Sequence, residues 1–258
     1  MYQYKRLLTK VIEMRAIKTF LRKQSIVFYL GRKALRALSY IKNVGERKKG
    51  VLIYVGLHKG MSFSKIYSLY EKCYGFEPNP ELFKSLEKEF DKVGNVRLFN
   101  VAVTDYDGEI DFNISSNEGA SSSIGNFSEK WQNYATGEVK MDKTIRVPCI
   151  NLYRFIEKEN ITSIDDYISD IQGMDLSVLK TLKPLIESKR IKKITCEVVK
   201  DEYRNIYRDL PDNSESGFNE LLKDNYELIA KGWGVLVEGK INETPQSWWE
   251  MDCMWKIK

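Results

Sequence analysis

The chain is poor in several residue types, and each shortage excludes something. It contains one histidine, six prolines and four cysteines in 258 residues. A single imidazole, His58, rules out a site built on several histidines. Cys73, Cys149, Cys196 and Cys253 are widely separated and lie inside apolar, strand-like runs. Neither a disulfide framework nor zinc-site spacing is present, so all four are expected to be reduced core residues of a cytoplasmic protein. No apolar run approaches the roughly 20 residues that cross a bilayer. The best, Ser25–Leu30, is short and flanked by Arg22, Lys23, Arg32 and Lys33. No small-residue cleavage site follows a sufficient apolar stretch, so a secretory signal is not expected. Internal repeats and low-complexity tracts are absent too.

With 43% apolar and 12% aromatic residues, the chain can bury one sizeable core, and its length suits one α/β domain with an extension. The net charge of +5 is unevenly spread. Residues 1–49 hold 14 Lys/Arg against only Glu13 and Glu46, whereas the remainder holds 27 basic and 34 acidic residues. Residues 1–49 therefore read as a basic extension and 50–258 as the working domain, from which no nucleic-acid partner is expected. From Tyr4 to about Lys42, apolar residues recur at roughly helical spacing among basic ones, which predicts amphipathic helices. Such an arm packs on the domain, mediates self-association, or lies peripherally on a membrane surface. The sequence does not separate these roles.

Beyond Gly50, strand and helix patterns alternate. Val51–Val55, Cys73–Glu77, Val96–Val103, Ile164–Ile171 and Ile191–Val199 read as strands. Ser62–Glu71, Pro80–Phe90, Leu152–Lys158 and Leu176–Leu182 read as helices. Asp107-Gly108 turns the chain into an inserted hairpin over Glu109–Ile114, and Thr144–Ile150 looks extended. Tyr226–Val237 and Glu250–Ile257 form an expected antiparallel pair at the sheet edge. This order predicts a doubly wound, mainly parallel α/β sheet. Two segments poor in regular signals, Ser115–Gly137 and Asp209–Gly217, are candidate substrate lids.

One pairing points to a nucleoside-bearing ligand. The loop Gly56-Leu57-His58-Lys59-Gly60 directly follows the first strand, and Glu77 ends the next apolar segment. Glycines let the backbone turn tightly and approach a ligand closely, while a carboxylate at the tip of the adjacent strand can accept both ribose hydroxyls. The spacing is G-x-x-x-G without the third glycine of a dinucleotide fingerprint, so a pyrophosphate is disfavoured. S-adenosylmethionine carries no phosphate and suits an open glycine turn plus an acidic residue.

At this point the chain resembles the FkbM-type family of class I methyltransferases. Four stretches carry the resemblance: Tyr54 to Gly60; Gly75-Phe76-Glu77-Pro78-Asn79-Pro80 with Phe83 and Leu86; Asn100-Val101-Ala102-Val103 leading to Asp107-Gly108; and Ser169-Asp170-Ile171-Gln172-Gly173-Met174-Asp175 running into Val178-Leu179-Lys180. Tyr54 stands where the family usually has an acidic residue, and His58 where it usually has Asn. The resemblance implies a seven-stranded, Rossmann-like sheet and S-adenosylmethionine as cofactor, held by Tyr54, Gly56, His58, Gly60, Glu77, Pro78, Ala102 and Asp170. It also implies O-methylation of a sugar hydroxyl on a glycan, glycolipid or glycosylated metabolite. The alternatives are a non-sugar acceptor, or a cofactor-binding partner of a glycan-assembly complex without catalysis.

A sugar hydroxyl must lose its proton during methyl transfer, to a base or after coordination to a metal ion. The catalytic candidates are Asp170, Glu197 and His58. Asp170 is the first choice as base, acceptor-orienting group or metal ligand, with capping of the following turn as its structural alternative. Glu197 interrupts an apolar strand, where a carboxylate is seldom buried without a partner, and is the expected partner of Asp170. Two carboxylates on one pocket could hold Mg²⁺. His58 is either a proton relay or a local hydrogen-bonding residue. Trp233, Trp248 and Trp249 could stack on a sugar, although edge packing is the commoner role of such aromatics.

Overall fold

The computed structural model describes residues 47–129, 131, 139–204, 206–233, 236, 238–242, 244 and 248–258. The helices expected over Tyr4–Lys42, and nearly all of the basic extension, lie outside them.

Alternating apolar runs build the first half. β1 (Lys49–Val55) is followed by one short helix, α1 (Phe63–Ile66), and a 3₁₀ turn (Tyr67–Leu69), then by β2 (Tyr70–Phe76), α2 (Pro80–Phe90) and β3 (Val96–Phe99). α2 starts as its sequence dictates. Asn79 caps it by accepting from the Glu81 N–H at 3.0 Å, and Pro80 occupies the first turn, where no donor is needed. A side branch follows: β4 (Ala102–Thr104), β5 (Gly108–Ser115), β6 (Asn126–Phe127) and β7 (Met141–Asn151). The chain then returns through α3 (Leu152–Lys158), β8 (Ile164–Ser169), α4 (Asp175–Thr181), α5 (Lys183–Glu187) and β9 (Ile191–Val199). It closes with β10 (Tyr207–Arg208), α6 (Glu215–Leu222), β11 (Tyr226–Gly232) and β12 (Glu250–Ile257).

The main sheet has seven strands in the order β11-β12-β9-β8-β1-β2-β3. It is mixed: the pairings among β9, β8, β1, β2 and β3 are parallel, and β12 runs antiparallel to both β9 and β11. The expected antiparallel edge pair is therefore present. Layers cover both faces, as the strict alternation of β1 shows. Ile53 and Val55 enter one core with residues of α3, α4, α5 and α6, whereas Leu52 and Tyr54 enter a second core with Phe63, Leu86 and Phe90. From β1 the chain winds outward through β2 and β3, then returns to β8 on the other side of β1. The switch in strand order thus lies between the carboxyl ends of β1 and β8, where open α/β sheets leave a crevice.

Three expectations need correction. Ser62–Glu71 is not one helix: it ends at Leu69, because Tyr70 is already a strand residue whose hydroxyl donates to buried Asp166 at 2.7 Å. Val96–Val103 is not one strand. Asn100 donates to the carbonyls of Glu77 and Pro78 at 2.8 and 3.0 Å, which turns the chain off β3 and into β4. β4, β5 and β7 then make a separate three-stranded sheet. Finally, Asp209–Gly217 is partly helical, since Ser214 caps α6 by accepting from the Gly217 N–H. Ser214 with Phe218 and Leu222 at helical spacing was the available signal.

Candidate functional site

A cavity of about 210 Å³ opens at the switch point. Its floor is formed by strand ends. β1 contributes Val55 and Gly56, β2 contributes Phe76 followed by Glu77 and Pro78, and β8 is followed by Asp170, Ile171 and Gln172. Val101, Ala102 and Val103 wall one side, and Gly119, Ala120 and Ser122 cover it from the segment between β5 and β7. The described part of the first candidate lid therefore borders the cavity. Asp209–Gly217 does not. It lies against a second, much smaller hollow through Leu210, Pro211, Asn213 and Ser214.

The glycine turn has a steric cause. Gly56 has φ +81°, and a Cβ there would lie 1.9 Å from the Asp170 carbonyl oxygen. Only glycine lets the end of β1 pass this close to the end of β8. The Gly56 and Leu57 N–H groups both donate to the Phe76 carbonyl at 3.1 Å, and Asp170 donates to the Val55 carbonyl at 3.1 Å. Gly60, with φ +72°, does not line the cavity. Its absent side chain leaves room for Leu86 of α2.

Glu77 is 4% exposed, and its carboxylate accepts from the His58 N–H at 2.6 Å and the Asn79 N–H at 2.9 Å. One side chain thereby ties the glycine loop to the start of α2. Burial pushes its carboxyl up to about 7, against the two N–H donors, which favour the ion. Each oxygen keeps a lone pair for a further donor.

His58 borders the cavity with φ +50°, and burial lowers its pKa, which favours neutral imidazole. Its Nε2 lies 3.1 Å from the Glu118 carbonyl. A carbonyl only accepts, so the neutral ring carries its proton on Nε2 and keeps Nδ1 as the basic nitrogen.

Asp170 is exposed into the cavity mouth, and its Oδ1 accepts from Gln172 Nε2 at 3.0 Å. The same nitrogen donates to Glu197 Oε2 at 2.5 Å. Glu197 is buried and does not line the cavity. Burial first, then Asp170 and Glu250, push its carboxyl well above the ordinary range, and burial likewise pushes Glu250 up to about 8. The expected Asp170–Glu197 partnership thus exists, but a carboxamide stands between the two. Because an amide N–H cannot ligate a cation, the pair does not converge as a Mg²⁺ site. No group of three or more His, Cys, Asp or Glu side chains able to hold a metal occurs among the described residues.

Of the other expected cofactor residues, Pro78 and Ala102 line the cavity. Tyr54 does not: it belongs to the opposite core and meets the Phe63 ring edge-on at 5.7 Å. Trp249 packs on Trp131 at 4.9 Å, while Trp233 and Trp248 form a solvent-facing pair 4.7 Å apart. All four cysteines are free and buried.

Sequence reading assigned no role to Asp175 or Tyr207, although Asp175 lay inside a quoted motif. Asp175 is fully buried and accepts from the Ser169 hydroxyl and, at 3.2 Å, from the Ile171 N–H. It braces the turn that presents Asp170, and burial pushes it up to about 7. Its place five residues after the acidic end of a strand was the only signal. Tyr207 had none.

Residues 55–221 match the methyltransferase FkbM domain. The chain is 26% identical over 154 residues to 2-O-methyltransferase NoeI of Sinorhizobium fredii, a match covering 57% of this chain and 63% of that protein. The chain therefore spans less than two thirds of that relative's length. Among solved structures it is similar to a methyltransferase FkbM from Methylobacillus flagellatus, with TM-score 0.46, 11% identity and coverage of 82% of this chain and 45% of that one. It is also similar to the SAM-bound magnesium protoporphyrin IX methyltransferase of Synechocystis, with TM-score 0.40, 7% identity and coverage of 88% and 79%. On the strength of the domain match, the chain belongs to the methyltransferase FkbM family.

Proposed function

We propose that the protein is an S-adenosylmethionine-dependent O-methyltransferase whose acceptor is a sugar hydroxyl of a glycan, glycolipid or glycosylated metabolite. The observation that carries this reading is the cavity wall at the switch point, where buried Glu77 faces a space bounded by the Gly56 turn and by Asp170. In the proposal Glu77 accepts the ribose hydroxyls, with Pro78 and Ala102 beside the adenosine. Gly56 and His58 receive the methionine end. The name of the relative NoeI supports transfer to oxygen. Nothing in that name identifies a sugar, which rests on the family resemblance alone.

In the transfer, the methyl carbon–sulfur bond breaks as the carbon–oxygen bond forms in line behind it, so positioning carries most of the rate. The acceptor proton goes to Asp170, whose second oxygen is free of Gln172, with His58 Nδ1 as the other base within the same cavity. The transfer is metal-free in this proposal, because the Gln172 amide separates the Asp170 and Glu197 carboxylates. No helix among the described residues is long and apolar enough to cross a membrane. We place the enzyme in the cytoplasm, with residues 1–49 as the part able to touch a membrane surface or a second copy.

The test is calorimetric titration with S-adenosylmethionine and S-adenosylhomocysteine, with NAD as control. Micromolar binding of the adenosyl ligands alone is expected. Binding of NAD, or of nothing, would refute the cofactor assignment and favour a chain without this activity.

A further inference from the structure

We infer that Gln172 is the positioning residue of the site: it fixes the Asp170 carboxylate, and Glu197 and Tyr207 hold it in place. The inference rests on the reading of Asp170 as the group beside the reacting methyl. It reassigns Glu197, a catalytic candidate from sequence, to a supporting role.

Asp170 is exposed at the cavity mouth, whereas Gln172 is 8% exposed and borders the same cavity. An exposed carboxylate on a turn rotates freely unless something holds it. Here the holder is a carboxamide with nearly all its own hydrogen-bonding capacity in use. One N–H goes to Asp170 Oδ1 at 3.0 Å, and the other goes to Glu197 Oε2 at 2.5 Å. The amide oxygen accepts from the Tyr207 hydroxyl at 2.6 Å. This set fixes the amide's orientation, since the carboxylate oxygens accept the N–H groups and the phenol supplies a proton to the oxygen. The Gln172 backbone is held as well, by the Ser123 hydroxyl donating to its carbonyl at 2.7 Å. Ser123 belongs to the segment covering the cavity, so the cover and the base are registered to the same residue.

Backbone conformation points the same way. Gln172 has φ +54° and Gly173 φ +100°, two successive residues in a conformation that ordinary side chains avoid. A Cβ on Gly173 would lie 2.9 Å from the Tyr207 ring. The bare glycine is what admits Tyr207 to the amide oxygen. Glu197 neither lines the cavity nor contacts Asp170 among the described hydrogen bonds, so its hydrogen-bonded link to Asp170 runs through the amide. A carboxylate fixed with one oxygen on Gln172 presents its other oxygen to the cavity in a constant direction, which is the preorganisation that in-line transfer needs.

The test compares affinities for S-adenosylmethionine, whose sulfur is cationic, and S-adenosylhomocysteine, whose sulfur is neutral. Their ratio reads a well-placed anion near the sulfur and needs no acceptor. Asp170→Asn should lower the ratio about fivefold. Gln172→Asn keeps a residue tolerant of positive φ but shortens the amide beyond reach. It should lower the ratio to a similar extent while leaving S-adenosylhomocysteine affinity within about twofold. The double variant should be no worse than Asp170→Asn alone. Glu197→Gln retains an acceptor oxygen for the amide and should restore most of the ratio lost in Glu197→Ala. An unchanged ratio in Gln172→Asn, or a double variant in which the two losses multiply, would overturn the proposal. If the wild type binds neither ligand, the cofactor reading fails. The Gln172–Asp170 contact is then read from urea unfolding of the wild type, Asp170→Asn, Gln172→Asn and the double variant: less-than-additive destabilisation supports it and strict additivity overturns it.

Discussion

The two halves of the crevice are held by different means. At the end of β2 a single buried carboxylate, Glu77, is bound by the backbone N–H groups of His58 and Asn79, nineteen and two positions away. At the end of β8 the exposed carboxylate, Asp170, is held by the side chain of nearby Gln172, which is itself fixed by two distant side chains, Glu197 and Tyr207. The first arrangement depends on chain conformation and tolerates substitution of neighbouring side chains. The second depends on three particular side chains and on the glycine that lets one of them in. A site needs both: a rigid cradle for the invariant part of a ligand and an adjustable frame for the group that reacts.

The sharpest way to break both halves at once is Gly56→Ala. It places a Cβ against the Asp170 carbonyl at positive φ, and should cost about 3 kcal/mol or more in urea unfolding. A loss under about 1 kcal/mol would mean the two strand ends are not in contact. Glu77→Ala leaves two backbone donors without their acceptor, for a loss of about 2 kcal/mol and at least a tenfold fall in adenosyl-ligand affinity. Unchanged affinity would remove the ribose assignment. The same residue gives a pH test. Bound hydroxyls donate to the ionised form, so affinity should fall as pH drops below about 7 and level off above it.

Asp175 and Glu250 sharpen the comparison by stability rather than binding. Their folded-state values, about 7 and about 8, lie above those of free carboxyls. In the window between, the unfolded chain is ionised while the folded one holds the protons. Their contribution to stability is therefore greatest near pH 4 and declines as pH rises to about 8. Asp175→Asn should flatten the lower part of that decline by on the order of 1–2 kcal/mol in denaturation curves taken at pH 4 and pH 7. A slope identical to wild type would assign the decline to other groups. The smallest effect belongs to Tyr207→Phe, which removes one hydroxyl from the Gln172 oxygen. It should cost about 1 kcal/mol of stability without altering S-adenosylhomocysteine binding. A large loss of that affinity would mean the cradle and the frame are not separate.

By itself the sequence determined whatever local chemistry dictates. Alternating apolar residues specified the strands, Asn79 with Pro80 specified the start of α2, and Gly56 with Glu77 marked the cradle, because turn geometry and strand ends leave their signatures within a few residues. The motif around Asp170 was readable for the same reason. Tertiary structure decided the rest. Ser62–Glu71 lost its last two residues to β2 through the pairing of Lys49 with Tyr70 and the bond to Asp166. Tyr54 faces away from the cavity because strand alternation sends it to the opposite core. The Gln172 amide meets Glu197 from 25 positions away, and Tyr207 reaches it from 35. No local pattern encodes such a meeting. Side-chain hydrogen bonds between distant segments depend on where the sheet and its loops bring the atoms, and that placement exists only once the β1 and β8 ends have packed together.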